Sequence, residues 1–189
     1  FNDIIQVLER AQLAEVTRQI IVGCTPKDSY QALAFVKKYA ERQLWSTLGV
    51  HPHNANMLTD QILGRFKELA QSEEKIVAIG EIGLDYFRNL QPKEMQQHAF
   101  IMQLRLAKEL NIVAIVHVRD AWEDALQILE DEGNTKVVLH CFTGDLSLAQ
   151  RCWSRGYYTS FSGVVTYPKN DYLRDVAEAA TVDLILIET

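Results

Sequence analysis

The sequence predicts an α/β fold built on a parallel sheet. Seven short aliphatic runs alternate along the chain with amphipathic segments of helical periodicity. The aliphatic runs are more often continuously apolar than alternating, which is typical of parallel strands covered on both faces. Strand and helix therefore alternate throughout, with right-handed crossovers expected between the strands.

A TIM-type (β/α)8 barrel fits this pattern best. A Rossmann or flavodoxin-like sheet is expected to have a glycine-rich loop after an early strand, and the sequence has none there. Eight strands close a TIM-type barrel, whereas only seven runs are present. We therefore expect an incomplete barrel that contains strands two to eight.

The seven predicted strands share a short length and a high content of Val and Ile. They are Gln19–Cys24, Trp45–Val50, Lys75–Gly80, Asn111–Val116, Lys136–His140, Gly156–Phe161 and Asp183–Glu188.

The segments between these strands predict helices. Glu94–Leu110 places apolar residues at helical spacing. A second helix opens near Asp28 or Ser29, either of which is a candidate N-cap. A third is expected to stop at Gly133, and the segment Leu146–Gly156 predicts a fourth.

Length and charge limit the classes of protein to consider. The 189 residues, with 48% hydrophobic and 23% charged residues, suit one domain over residues 1–189 with a sizeable core. The net charge of −6 disfavours a protein that holds long duplex nucleic acid on a basic surface. An enzyme that acts on phosphates stays possible, because bound divalent metals supply positive charge locally.

The sequence also predicts a cytoplasmic location. No stretch has the roughly 18 apolar residues that a membrane span needs, and no secretion signal is expected. The three cysteines are odd in number and lack CxxC spacing, which favours free thiols in a reducing compartment.

Residues with metal-binding chemistry stand at the ends of the predicted strands. Four of the five histidines do so, and His98 alone lies in a predicted helix. Catalytic groups of a TIM-type barrel occupy the carboxyl ends of the strands. Imidazoles with a carboxylate are a ligand set of zinc or manganese. The residues at these ends are His51, His53, Glu81, His117, His140 and Glu188.

Glu81 is the principal candidate carboxylate. It follows Gly80 in a glycine-flanked turn, where the backbone can pass close to a site. We interpret it as a carboxylate that bridges two metal ions, which would polarise a phosphate and acidify an attacking water. The alternative is a salt-bridged carboxylate at the barrel rim.

Five segments together resemble the TatD family of metal-dependent deoxyribonucleases, within the amidohydrolase-type TIM barrels. They are "GVHPH", "AIGEIGLDYFR", "QLRLAKELNIVAIVHVRDA", "LHCFTG" and "LILIET", and they span essentially the whole chain. The resemblance implies hydrolysis of DNA phosphodiester bonds from a 3′ end, through a water activated by Mg, Mn or Zn. It implies two metal ions in the intact protein, which is expected to be a monomer.

The resemblance also assigns roles to single residues. Glu81, His117 and His140 match metal ligands, and Glu81 is the predicted catalytic residue. His51 and His53 resemble a substrate-side element near the metals. Arg119 is expected to contact a substrate phosphate, and a salt bridge to its neighbour Asp120 is an equally good interpretation.

Other residues near these motifs have less specific interpretations. Cys141 is expected to pack rather than to act as a nucleophile, since no activating partner can be named. The aromatic residues Tyr86, Phe87 and Tyr167 either stack on bases or pack at the barrel rim.

Compared with the family pattern, two elements are missing. Family members begin with a D-x-H-x-H strand, whereas the first 16 residues here resemble the helix that follows it. Family members also continue from "ET" to a metal-binding aspartate, whereas this sequence ends at Thr189. We therefore expect a barrel truncated at both ends, with two unpaired sheet edges. Glu188 is not expected to replace the aspartate, because it lies two positions earlier.

Two other functions stay open. The same metal site could serve the hydrolysis of an amide or a lactone, as in other barrels of this type. Alternatively, the chain is a non-catalytic barrel that binds metal, nucleic acid or a partner without turnover.

Overall fold

The sheet has seven parallel strands, which confirms the predicted strand count and fold class. The computed structural model describes residues 3–188. The strands pair in the order β1-β2-β3-β4-β5-β6-β7, each parallel to its neighbour. They are β1 (Gln19–Ile21), β2 (Leu44–Leu48), β3 (Ile76–Asp85), β4 (Val113–Arg119), β5 (Val137–His140), β6 (Tyr158–Phe161) and β7 (Ile185–Ile187).

The helices lie between the strands, as the alternating pattern predicts. They are α1 (Ile4–Leu13), α2 (Pro26–Lys38), α3 (Asp60–Ser72), α4 (Lys93–Glu109), α5 (Trp122–Glu132), α6 (Leu146–Trp153) and α7 (Asp171–Ala179). Short 3-10 helices span Pro52–Met57, Gly163–Thr166 and Val182–Leu184. In the part of the chain that the structure describes, no helix combines the length and the apolar character that crossing a bilayer requires.

One helix cap differs from the prediction and another confirms it. The N-cap of α2 is Thr25 rather than Asp28 or Ser29, and the Thr25 hydroxyl accepts a hydrogen bond from the Asp28 backbone N–H at 3.1 Å. The helix starts earlier because Pro26 suits its first turn, where no backbone N–H is needed. Helix α5 ends at Gly133, in the left-handed conformation.

The core forms one continuous cluster between the sheet and the helices. Its largest fully buried side chains include Phe66, Phe100, Leu126, Leu129 and Leu139. Burying these side chains is the main favourable contribution to folding, at about 1.5–3 kcal/mol for each. The helices that carry Phe66, Phe100 and Leu126 are thereby fixed against the strands.

Strand β3 is longer than the sequence predicts. It continues through the two glycines of "GEIG" to Asp85, and its pairing with β4 shifts register between Ile79 and Ile82. Glu81 therefore lies inside β3, at this irregularity, and the prediction of a strand-end turn at Glu81 was wrong. An extra residue at such a shift redirects the side chain next to it, so the strand can continue while Glu81 is turned.

Helix α4 anchors the ends of β2 and β3 through two buried glutamines. Gln103 Oε1 accepts from the Val50 N–H at 2.8 Å, and Gln103 Nε2 donates to the Val50 carbonyl at 3.0 Å. Gln96 contacts the Asp85 backbone N–H and carbonyl in the same way, at 2.8 and 3.2 Å. Both strand ends are thus held by side chains that also satisfy buried backbone groups.

Strands β1 and β7 are the two edges of the sheet, and within residues 3–188 no pairing joins them. The expectations about Thr189 and about the first two residues of the chain concern positions outside the described residues.

The backbones of β2 and β3 approach each other closely at a glycine pair. A Cβ atom added at Gly49 would lie 2.4 Å from the Gly80 carbonyl carbon and 2.7 Å from the Glu81 nitrogen. Both distances are too short for a side chain, so this approach requires glycine at position 49.

We expect Gly49→Ala to lower the free energy of unfolding by about 1–3 kcal/mol, because the backbone at Gly80 must move. Gly64→Ala is the matched control, since a Cβ at Gly64 on α3 meets nothing within 4 Å. The control should raise stability by about 0.5–1 kcal/mol through helix propensity. Urea denaturation of both variants measures this, and equal stability of the two would contradict the close approach.

Candidate metal centre

Three histidines surround one buried carboxylate at the carboxyl ends of β2 to β5, and a fourth lies beside them. Glu81 is 9% exposed. Its Oε1 atom lies 3.0 Å from His117 Nδ1, 3.6 Å from His51 Nε2 and 3.7 Å from His140 Nε2. The fourth, His53, lies beside His51 with 4.3 Å between the ring centroids. The structure thus brings together the strand-end histidines that the sequence singled out.

Parallel pairing explains how these side chains meet. His117 on β4 is the register partner of His140 on β5, so the two imidazoles stand side by side. His51 follows β2 and caps the 3-10 helix, where its Nδ1 accepts from the His53 backbone N–H at 3.2 Å. Strand order and register therefore place residues from the ends of β2, β4 and β5 around Glu81 on β3.

The segment after β1 also contacts the centre. The Glu81 N–H donates to the Gly23 carbonyl at 2.9 Å, and the His51 N–H donates to the Cys24 carbonyl at 3.0 Å. The Cys24 thiol donates to Glu81 Oε2 at 3.8 Å. Burial and the nearby Glu81 charge raise the pKa of Cys24 to about 12, so the thiol stays protonated as a donor.

Sequence reasoning overlooked this role of Cys24. The signal was available, because Cys24 ends the first aliphatic run just as His140 ends the fifth.

Asp85 is a second residue that sequence reasoning overlooked. It is buried, and its Oδ2 atom lies 2.6 Å from His53 Nε2 and 3.4 Å from His117 Nε2. Its Oδ1 atom accepts from the Arg88 backbone N–H at 2.8 Å. This bond and that from His53 outweigh burial and lower the pKa of Asp85. The prediction that the third strand stops at Gly80 hid the place of Asp85 at the true end of β3.

Glu188 orients His140. Its Oε2 atom lies 2.5 Å from His140 Nδ1 and accepts from the Ser160 hydroxyl at 2.7 Å. With Nδ1 held by Glu188, the Nε2 atom of His140 faces Glu81. Burial lowers the pKa of His140, but the bonds and charges of Glu188 and Glu81 outweigh it and raise the pKa above its ordinary value.

Glu81 itself is ionised. Burial alone would raise the pKa of Glu81, but the adjacent imidazoles of His117, His51 and His140 hold it well below its usual range. Burial lowers the pKa of His51 despite the nearby Glu81. A neutral imidazole keeps the electron pair that a metal ligand needs.

One group of three residues has the spacing of a metal site. His51, Glu81 and His117 each offer one ligand atom, and these atoms lie within 4.8 Å of one another. No other group of three or more such residues meets this spacing in residues 3–188. This differs from the predicted ligand set of Glu81, His117 and His140, in which His51 belonged to the substrate side.

The chemistry of this group suits a divalent ion. Two imidazoles and a carboxylate are ligands that zinc and manganese accept. In addition, His117 Nε2 is buried, and although Asp85 Oδ2 lies 3.4 Å away, it forms no well-aligned hydrogen bond among the described residues. A buried polar atom without a partner is costly, and coordination to a metal would remove that cost.

Arg119 lies at the rim of the centre. It ends β4 two residues after His117, so both side chains point to the same face of the sheet. Its guanidinium lies 4.0 Å from the centroid of the Phe87 ring. Within the described chain it forms no salt bridge with Asp120, which was the alternative interpretation.

The other residues with open interpretations have the following contacts. The Tyr86 hydroxyl donates to Asp124 Oδ2 at 2.8 Å, whereas Phe87 and Tyr167 are each 60% exposed. Cys141 Sγ lies 3.1 Å from the Ser162 hydroxyl, and burial raises the pKa of this thiol, so it is not an activated nucleophile.

Comparisons with known proteins identify relatives of the chain. The chain is 38% identical over 190 residues to the uncharacterized metal-dependent hydrolase YabD of Bacillus subtilis, covering 100% of this chain and 73% of that protein. It is 38% identical over 187 residues to the 3′-5′ ssDNA/RNA exonuclease TatD of Cronobacter turicensis, covering 97% of this chain and 70% of that protein.

A solved structure has the same fold. The TatD homologue YjjV of Escherichia coli K12 superimposes with a TM-score of 0.91 at 31% identity, covering 100% of this chain and 73% of YjjV. The family model described as TatD related DNase matches residues 1–189. The chain therefore belongs to the TatD-related DNase family of metal-dependent hydrolases.

Proposed function

We propose that this protein is a metal-dependent phosphodiesterase that removes nucleotides from the 3′ end of single-stranded DNA. The observation that carries the proposal is the buried Glu81, whose Oε1 atom lies within 3.7 Å of nitrogen atoms of three imidazoles. The name of the Cronobacter relative, a 3′-5′ ssDNA/RNA exonuclease, supports nucleic acid as the substrate class.

Two groups of residues would hold the metal. Glu81, His51 and His117 have the spacing for one ion. His140, whose Nε2 atom also faces Glu81, would contribute to a second ion bridged by the same carboxylate. The ligand set suits zinc or manganese, and magnesium less well. Bound divalent metal neutralises phosphate charge and lowers the pKa of water.

The remaining residues hold these groups in place. The Glu188 carboxylate fixes the His140 ring, and Asp85 fixes the His53 ring. His53 has a partly exposed side chain, with 25% accessible, which supports a place for it on the substrate side. Arg119 extends from the same face as His117 and would donate hydrogen bonds to a substrate phosphate.

Glu81 is the catalytic residue in this proposal. Because the histidines stabilise its ionised form, its negative charge is fixed before substrate arrives. A carboxylate that is fixed in this way would hold the divalent metal, and the metal would offset the charge of the substrate phosphate.

The ligand assignment predicts the metal affinities of single variants. His51→Asn and Glu81→Gln should each weaken Mn²⁺ or Zn²⁺ binding by at least about tenfold, since each removes a ligand atom. His98→Asn is the control, because His98 is exposed on α4. Titration calorimetry on the metal-free protein measures this. If His51→Asn binds like the parent while His140→Asn does not, the sequence-based ligand set is correct instead.

The catalytic assignment predicts nucleotide release. The chain with Mn²⁺ should release nucleotides from a short single-stranded DNA with a free 3′ end, and a 3′-blocked strand should resist it. Glu81→Gln should lower kcat/KM by about 100-fold or more, because the carboxylate that would hold the metal is lost. Glu68→Gln, on the exposed face of α3, should match the parent.

Three outcomes would contradict this assignment. Release that survives metal chelation excludes the metal. Hydrolysis of an amide or lactone panel in place of DNA supports the alternative hydrolase. Metal binding without any turnover supports the non-catalytic alternative.

A further inference from the structure

We propose that Phe87 and Arg119 form a two-part platform at the mouth of the metal centre, which binds one nucleotide of a single-stranded substrate. In this proposal a base stacks on the Phe87 ring, and the Arg119 guanidinium donates to the adjacent phosphate. The inference rests on the proposed function, because it places single-stranded nucleic acid at this site.

The exposed ring of Phe87 is the first observation. Phe87 is 60% exposed, although it lies only two residues after the buried Asp85 at the end of β3. The turn that presents it is held by the Asp85 Oδ1 bond to the Arg88 N–H at 2.8 Å. The Tyr86 N–H also donates to the Arg119 carbonyl at 2.9 Å. The ring therefore stands on a hydrogen-bonded turn.

The free guanidinium of Arg119 is the second observation. Within residues 3–188 Arg119 has no ion pair and no side-chain hydrogen bond, and its contact is the Phe87 ring at 4.0 Å. Other arginines of the chain pair with carboxylates, namely Arg65, Arg105, Arg151, Arg155 and Arg174. In a chain of net charge −6, an unpaired guanidinium beside the candidate centre fits an anionic ligand.

The position of the pair relative to the centre is the third observation. Arg119 is the register partner of Asp85, and His117 is the register partner of Gly83. Two residues along a parallel strand span about 7 Å, so the platform lies next to the metal-ligating face. A nucleotide bound there would lie next to a substrate phosphate bound at the metal centre.

The chemistry of this pair favours unpaired bases. Every base has an aromatic face, and stacking on a protein side chain requires that face to be free. In a duplex the faces are covered by neighbouring base pairs. An aromatic ring with an adjacent cation is therefore suited to a single strand, with little dependence on sequence.

The test measures affinity for a fluorescently labelled oligothymidylate with phosphorothioate linkages, in the presence of Mn²⁺, by anisotropy. Phe87→Leu and Arg119→Gln should each weaken binding by about tenfold. Tyr158→Leu is the control, because Tyr158 is an exposed aromatic residue at the opposite, amino end of β6. Thermal melting of each variant shows that the fold is retained.

A second ligand separates the two halves of the platform. Against an oligonucleotide of the same length whose 3′-terminal residues are abasic, Phe87→Leu should bind like the parent, whereas Arg119→Gln should still bind about tenfold more weakly. A Phe87→Leu variant that binds the oligothymidylate as tightly as the parent overturns the platform, as does a parent that binds no oligothymidylate.

These outcomes are independent of turnover. Binding that depends on Phe87, without nucleotide release from a natural strand, counts against the proposed hydrolysis alone. Nucleotide release together with binding that ignores Phe87 and Arg119 counts against the platform alone.

Discussion

The candidate centre depends on one buried carboxylate. Taking the Glu81 charge out of water is costly, and the surrounding imidazoles offset that cost only because they meet at a single oxygen atom. His117 Nδ1 lies 3.0 Å from it, and His51 Nε2 and His140 Nε2 lie 3.6 and 3.7 Å from it. This constraint links β2, β3, β4 and β5, so the geometry of the site depends on the packing of these four strands.

Backbone packing supplies the precision that this arrangement needs. The contact of Gly49 with Gly80 lets β2 and β3 approach, and the register shift beside it turns Glu81 within the strand. From the other side, the side chains of Gln96 and Gln103 on α4 form hydrogen bonds with backbone groups at the ends of β3 and β2. A polar site on rigid strand ends requires such buried supports, because poorly held side chains would lower the metal affinity and the catalytic rate of the site.

The sequence predicts the strands and the convergence of the histidines because both follow from patterns along the chain. Aliphatic runs mark strands, and the ends of parallel strands meet at one edge. It does not predict the role of Asp85, because the continuation of β3 through two glycines depends on pairing with β4. Nor does it predict the direction of the His51 ring, which is set by the 3-10 helix that His51 caps. Side-chain direction and register need tertiary contacts, which periodicity does not contain.

The direct test of this account is a crystal structure of the protein soaked with Mn²⁺ or Zn²⁺, with the ion located by anomalous scattering. We expect an anomalous peak bonded to Glu81 Oε1 at about 2.0–2.2 Å, with His117 and His51 as further ligands. A saturating soak that leaves Glu81 without metal, or that places the ion on residues away from it, would contradict the claim that this carboxylate organises the site.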